Sequence, residues 1–266
     1  MIDILIPTFN RPDALAVTLL SLVWQTLPGL RIAVADQSPG GTSTKSGCVK
    51  AVARLLRAKG IPVEIFAGLP EKGIAANRDF LLSLSTGEFC LFLDDDLILE
   101  PDMAARLLSA MRKAVCGFVG AAPIGLSFSE DIRPGEQVIE FWEGPVRPER
   151  IRPGTREWER HKLHNAANIF HLQNNLKLTP GQQRLYKVAW IGSCVLYDTR
   201  KLRDCGGFGF WNRLPEEVCG EDVYAQIRVM ERYGGCGIIP SGIYHQELTT
   251  TIADRRFNAV SLLGNP

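Results

Sequence analysis

Three consecutive carboxylates, Asp94-Asp95-Asp96, follow directly on the apolar run Phe89-Cys90-Leu91-Phe92-Leu93. An unbroken apolar run of this length reads as a strand buried on both faces, as inside a parallel sheet, so its end must face a crevice. Side chains alternate along a strand, which puts Asp94 and Asp96 on one side and Asp95 on the other unless the following turn relaxes the pattern. Like charges this close repel, and each is partly neutralised by protons unless a cation shares the site. All-oxygen ligands suit a hard ion such as Mg²⁺ or Mn²⁺. The same acids also suit a solvated turn before the next helix, which Pro101 and Asp102 would start. A second acidic pair, Glu221-Asp222, opens an amphipathic segment with Val223, Ile227 and Met230 on one face. Acids there stabilise a helix dipole whether or not they do chemistry.

The elements that position the first group alternate. Ile2 to Ile6 reads as a strand ending in the polar loop Pro7-Thr8-Phe9-Asn10-Arg11-Pro12, and Leu15, Leu19, Leu22 and Val23 recur at helical spacing after it. Arg31 to Ala35 is the next strand, ending at Asp36-Gln37-Ser38. Lys45 to Lys59 is helical, Ile61 to Phe66 a strand and Ile74 to Leu84 a helix, leading into the acidic strand. Such alternation implies right-handed crossovers and a mostly parallel sheet flanked by helices, with ligands at the carboxyl ends of the strands. Thr8, Asn10, Arg11, Asp36, Ser38 and Asp94 to Asp96 therefore gather on one rim.

The motifs Pro7-Thr8-Phe9-Asn10-Arg11, Val34-Ala35-Asp36-Gln37-Ser38, Lys72-Gly73-Ile74-Ala75-Ala76-Asn77-Arg78-Asp79 and Phe92-Leu93-Asp94-Asp95-Asp96 resemble, in order and spacing, the nucleotide-sugar half of family 2 glycosyltransferases with the GT-A fold. The resemblance is close over residues 1 to 120 and resumes from 188 to 247. It implies that Pro7, Thr8, Asn10, Arg11 and Asp36 lie against the nucleoside, and that Gly73, Arg78 and Asp95 belong to the same donor site. It further implies that Asp94 contacts ribose or a metal-bound water, and that Asp96 ligates the divalent ion bridging the diphosphate. The resemblance suggests His245 for the metal sphere or the diphosphate, with a strand-end histidine holding a backbone partner as the equal alternative, and Glu-Asp before a helix is where the family keeps its base, which points to Asp222 with Glu221 beside it. Trp211, in preference to Trp190, is the candidate for stacking on an acceptor sugar, with core packing the alternative and the commoner role for a tryptophan in an apolar strand. Two departures stand out: Asp36-Gln37-Ser38 replaces the commoner Asp-x-Gly-Ser turn, and Asp79 stands where asparagine is usual.

The chain thus reads as a single α/β domain over 1–266, with a Rossmann-like mostly parallel sheet. A nucleotide-sugar half covers 1–123, a variable acceptor-side segment 124–187 and a catalytic-base and acceptor half 188–266. Pro101 to Val115 is an amphipathic helix, Phe118 to Pro123 a strand and Val188 to Tyr197 another. Residues 124–187 hold His161, His164 and His171, better taken as packing or surface histidines than as ligands. Arg255 and Arg256 are candidates for a diphosphate clamp, although a solvated pair suits them better.

The 266 residues carry a formal charge of +1, which gives no basic excess for nucleic acid. The acid at Asp3 and the short apolar run behind it argue against a signal peptide, and no stretch approaches a membrane span. Seven scattered cysteines with no C-x-x-C fit reduced thiols in a cytoplasm. The expected activity is inverting transfer of a sugar from a nucleoside-diphosphate donor to a hydroxyl of a saccharide or lipid-linked acceptor, the latter bringing the enzyme to the inner membrane face. Competing expectations are a sugar nucleotidyltransferase, which wants a glycine-rich basic loop after its first strand, an aspartate-nucleophile phosphatase, whose motif follows an early strand, and a non-catalytic nucleotide-sugar binder.

Overall fold

The structure is a computed structural model that describes residues 1–179, 181–250 and 256–264. Its first half alternates strand and helix: β1 (Ile2–Thr8), α1 (Pro12–Leu22), β2 (Leu30–Asp36), α2 (Thr42–Lys45), α3 (Gly47–Ala58), β3 (Val63–Ala67), α4 (Gly73–Leu84) and β4 (Phe89–Leu93). The acids separate β4 from a short strand, β5 (Leu97–Leu99), and α5 (Met103–Ala114) leads to β6 (Phe118–Gly120). After an irregular stretch come α6 (Asn168–Leu176), β7 (Arg184–Tyr186), β8 (Cys194–Asp198), α7 (Thr199–Asp204), α8 (Glu221–Tyr233), β9 (Gly235–Ile239), β10 (Ile243–His245) and α9 (Ala259–Leu263).

Eight strands form one sheet in the order β3-β2-β1-β4-β8-β6-β9-β7. β8 and β7 run against the other six, so the expected mostly parallel sheet is present, with antiparallel insertions on the side that carries the second half. Every residue of β1 and β4 is buried, because helices cover both faces. Alternation divides the core accordingly: Ile4, Ile6, Leu91 and Leu93 meet α1, α3 and α5, while Leu5, Cys90 and Phe92 meet α4, α7 and α8. Asp3 interrupts this apolar layer at 1% exposure. It is tolerated because Arg31 Nε and Nη2 donate to its two oxygens at 3.0 and 2.9 Å, and the Ser85 hydroxyl and the Thr86 and Gly87 amides donate to Oδ2. One buried acid thereby ties β1 to β2 and to the turn that aims β4.

Two expected strands are shorter than their apolar runs. Val188 to Tyr197 does not run as one strand, since Ser193 adopts a left-handed conformation (φ 72) and pairing begins only at Cys194. The residues before it instead bend beneath the crevice, as described below. Phe118 to Pro123 pairs only as far as Gly120. The segment 124–187 contains short helical turns, α6 and the edge strand β7, whose Leu185 lies opposite Ile238 of β9. A separate pair, β5 with β10, sets His245 opposite Leu97.

Candidate active site

The acidic turn leaves the sheet in two directions. Asp94 donates its amide to the Ser193 carbonyl (2.8 Å) and turns its carboxylate to Arg78, whose Nη2 lies 2.9 Å from Oδ1. Asp95 and Asp96 turn the other way. The Thr8 hydroxyl donates to Asp95 Oδ2 at 2.6 Å, and Arg11 Nη1 lies 2.7 Å from Asp96 Oδ2 and 3.6 Å from Asp95 Oδ1. Strict alternation, which pairs Asp94 with Asp96, therefore does not survive the turn: Asp95 and Asp96 share one guanidinium and Asp94 has another. Thr18, a hydroxyl inside the apolar stripe of α1, explains the bend. It donates to the Asp95 carbonyl (2.8 Å) and accepts from the Leu97 amide (2.9 Å).

Burial shapes the charges. Desolvation pushes the Asp95 carboxyl up to about 7, against the Thr8 hydrogen bond. Desolvation also raises Asp96, with Asp94 adding repulsion and His245 and Arg11 opposing it. His245 Nε2 approaches Asp96 Oδ2 at 3.5 Å, while its Nδ1 accepts the Glu247 amide at 2.7 Å. Gln246 fixes this strap: its amide donates to the Asp96 carbonyl (2.8 Å) and its side chain reaches the Ala14 carbonyl and the Thr18 hydroxyl. Beside it, Phe9, Asn10, Arg11, Leu248, Thr249 and Thr250 line a cavity of about 380 Å³, closed on one side where Arg11 Nη2 donates to the Thr249 carbonyl.

A divalent ion finds suitable donors here only in part from the protein. Asp96 supplies a hard oxygen and His245 Nε2 faces the same point, whereas Asp94 is directed to Arg78. Among the described residues no group of three or more His, Cys, Asp or Glu side chains forms a cage. That donor set fits a Mg²⁺-type ion held by one or two carboxylates and completed by substrate phosphates.

Two expected donor contacts have other work. Asp36 lies beneath the rim, not on it: at 0% exposure its Oδ1 accepts the Ser38 amide and its Oδ2 the Thr44 amide and hydroxyl, each at 2.8 Å. It holds the loop after β2, and Ser38 in turn accepts the Asn10 amide (2.8 Å), so Asp36 acts on the first loop through that loop. Gly73 (φ 79) is required by contact with the chain itself, since a Cβ there would lie 2.3 Å from the Glu216 carbonyl oxygen. Pro7 is buried within β1 opposite Ala35, while Asn10 is exposed with a left-handed backbone (φ 54).

The second acidic pair reaches the same crevice from α8. Arg78 Nε lies 3.0 Å from Glu221 Oε1, with its N–H not aimed at that oxygen, so the contact is ionic and not a directed hydrogen bond. Burial opposes the charge of Arg78, but Asp94, Glu221 and Asp222 outweigh it and hold the guanidinium protonated. Burial raises Glu221 to about 7 and also raises Asp222, each against the pull of Arg78. The bent segment before β8 lies under Asp222: the Ile191 amide and carbonyl pair with the Gln226 side chain at 2.8 and 2.7 Å, and a Cβ on Gly192 would meet only Asp222 Oδ2, at 4.0 Å.

The tryptophans are held by the protein. Trp190 stacks on His161 (centroids 4.8 Å, planes 10° apart) and meets Trp158 at 4.5 Å, and Trp211 hydrogen-bonds Asp79 with Lys72 Nζ 5.5 Å from its ring. Asp79, the departure from the usual asparagine, thus serves that indole. His164 Nε2 lies 3.1 Å from the Tyr186 hydroxyl. Arg255 lies outside the described residues, and Arg256 is exposed. Sequence reasoning missed Thr18, Ser193, Gln226 and Gln246, which hold the site from beneath; for Thr18 the signal was a hydroxyl in an otherwise apolar helix stripe.

Comparison with known proteins agrees with this architecture. S. aureus TarS 1–349, solved in complex with UDP-GlcNAc, superposes with a TM-score of 0.56 at 16% identity, covering 94% of this chain and 60% of that one. The mannosyltransferase PcManGT from Pyrobaculum calidifontis, solved with GDP-Man and Mn²⁺, gives 0.52 at 17% identity, covering 89% and 56%. These likenesses establish the GT-A fold. The succinoglycan biosynthesis protein ExoM of Rhizobium meliloti is 36% identical over 115 residues, 42% of this chain and 35% of that protein. An uncharacterized glycosyltransferase of Haemophilus influenzae is 25% identical over 113 residues, with the same shares. The chain thus matches about a third of the length of these curated relatives. The model of Glycosyl transferase family 2 matches residues 3–192, most of the sheet and all of the first acidic group, and the chain belongs to that family.

Proposed function

We propose that this protein transfers a sugar, most simply a hexose, from a nucleoside-diphosphate donor to an acceptor hydroxyl in one inverting displacement. The observation that carries this is that Arg78 pairs with both Asp94 and Glu221 and feels the charge of Asp222, which supports reading Asp222 as a base near the donor acids. Thr8, Arg11 and Asp95 line the donor side with Asp94, and the cavity beneath the 248–250 strap adjoins them.

An acceptor hydroxyl is a weak nucleophile, so a carboxylate must take its proton as attack proceeds. Asp222 is assigned that role: it stands at the amino end of α8, its Oδ1 held by the Val223 amide (2.8 Å) and its Oδ2 open toward Gly192. Glu221 stays paired with Arg78 and positions its neighbour. Asp96 and His245 would hold a Mn²⁺ or Mg²⁺ ion together with the diphosphate, where the ion shields the charge developing on the leaving group. Arg11 lies on Asp96 and must yield or share that carboxylate when donor and cation enter.

The likeness to ExoM, a succinoglycan biosynthesis protein, supports polysaccharide synthesis as the biological setting. No helix among the described residues is long and apolar enough to cross a membrane. Calorimetry with UDP, GDP, TDP and CDP, each with and without Mn²⁺ or Mg²⁺, tests the donor half. Metal-dependent binding of one nucleotide, abolished in Asp96→Ala, is the expected result; no binding in any combination refutes it.

A further inference from the structure

Arg78 comes from the donor half of the chain, yet it is only 4% exposed and lies between two elements rather than on the open rim. Its Nη2 reaches Asp94 at the end of β4 (2.9 Å), and its Nε reaches Glu221 at the start of α8 (3.0 Å). The guanidinium centre stands 5.7 Å from the Phe92 ring centroid, which fills the space beneath it. One rigid, planar group therefore spans the strand end that carries the donor acids and the helix start that carries the candidate base. A main-chain route joins the same two places, since the Ser193 carbonyl accepts the Asp94 amide and Ile191 is doubly paired with Gln226 one turn along α8.

We infer that Arg78 is a positioning residue that fixes Asp222 relative to the donor acid Asp94, and that it makes no contact with the nucleotide. The inference rests on Asp222 as the base. Its physical content is geometric. The planar guanidinium directs Nη2 at Asp94 in a hydrogen bond and sets its Nε edge 3.0 Å from Glu221 as an ionic contact, so one rigid group meets two carboxylates at separate points, which the single ammonium point of lysine cannot do. Without the fork, three carboxylates lose their common counter-charge, and α8 stays joined to the end of β4 only through Ser193, Ile191 and Gln226, which do not touch the acids' carboxylates. Displacing a reacting group by about 1 Å costs about 100-fold in rate. Thr8, Arg11 and residues 248–250 lie on the Asp95–Asp96 side of the acidic turn, away from Arg78, so the nucleotide contacts made there do not depend on that tie.

The test uses the full chain, with Arg78→Lys, Arg78→Gln and Asp222→Asn. Melting temperature, UDP affinity with Mn²⁺, and UDP release from UDP-GlcNAc and GDP release from GDP-Man at saturating donor are measured for each. The expected result is UDP affinity within about threefold of the native protein in both Arg78 variants, with turnover at saturation down about 100-fold in Arg78→Gln and less in Arg78→Lys. Weakened UDP affinity with unchanged saturated turnover would make Arg78 a nucleotide ligand and overturn the inference, as would native turnover in Arg78→Gln. If the Arg78 variants do not fold, Glu221→Gln carries the test: turnover lowered with UDP affinity unchanged supports the tie, and native turnover refutes it. Active Asp222→Asn refutes the base itself. Inactive Asp222→Asn beside fully active Arg78→Gln refutes only the positioning role.

Discussion

The Thr8 hydroxyl donates to Asp95 Oδ2 at 2.6 Å and joins the ends of β1 and β4 across 87 residues of sequence. Both groups are buried, so removing the donor leaves a carboxylate oxygen without its partner. Thr8→Val should cost about 1–3 kcal/mol of stability. At roughly 2–4 °C per kcal/mol for a chain near this size, that is a shift readily measured by thermal melting. Thr8→Ser, which keeps the hydroxyl, should recover most of it.

Glu221 gives a pH signature. Its folded value, about 7, lies above the ordinary 4.5, so the native state binds the proton more tightly than the unfolded chain does. Stability from this group is complete below the ordinary value and is lost as pH rises toward 7. Glutamine mimics the protonated form, so Glu221→Gln should melt with the native protein near pH 4.5 and progressively above it as pH approaches 7. A difference that is constant with pH contradicts the assignment.

Gly192 leaves the approach to Asp222 open. A methyl group there meets Asp222 Oδ2 only at van der Waals distance, so Gly192→Ala should fold and bind UDP normally. Gly192→Leu should cut transfer to saccharide acceptors by about tenfold or more while sparing UDP binding and the slower hydrolysis of donor by water. Equal loss of transfer and hydrolysis would place the obstruction elsewhere.

Arg11 Nη1 lies 2.7 Å from Asp96 Oδ2, on the carboxylate proposed to meet the divalent ion. Arg11→Ala should therefore bind Mn²⁺ more tightly than the native protein when no nucleotide is present, and UDP less tightly when it is. Calorimetric titration of each ligand separates the two effects, and weaker Mn²⁺ binding by Arg11→Ala would contradict competition for Asp96.

Much of the donor half is legible in the sequence because its signals are local. The apolar runs of β1, β2 and β4 end in polar residues, and the helical stripe of Leu15, Leu19 and Leu22 lies between the first two. What escapes is set by tertiary contact. β5, β7 and β10 have three residues each and exist by pairing, with β10 placing His245 beside Asp96. The run Val188 to Tyr197 looks like one strand, but Gln226, distant in sequence, captures Ile191 and bends it. Asp36 and Asp94 illustrate the same limit in the site. Both are acids at strand ends, and nothing in their spacing says that one is consumed by its own loop while the other is bound by Arg78. Position along the chain predicts which rim an acid reaches, whereas its partner depends on residues the chain returns later.

Asp222 as the base is the central claim, and turnover of Asp222→Asn tests it most directly. The variant keeps the size of the side chain and cannot accept a proton at neutral pH. With the donor nucleotide established, the expected result is native UDP or GDP affinity, a melting temperature at or above the native one, since burial raises Asp222 and asparagine carries no charge to desolvate, and sugar transfer reduced by about 10²–10⁴-fold. Transfer at the native rate by a folded, nucleotide-binding Asp222→Asn would contradict it.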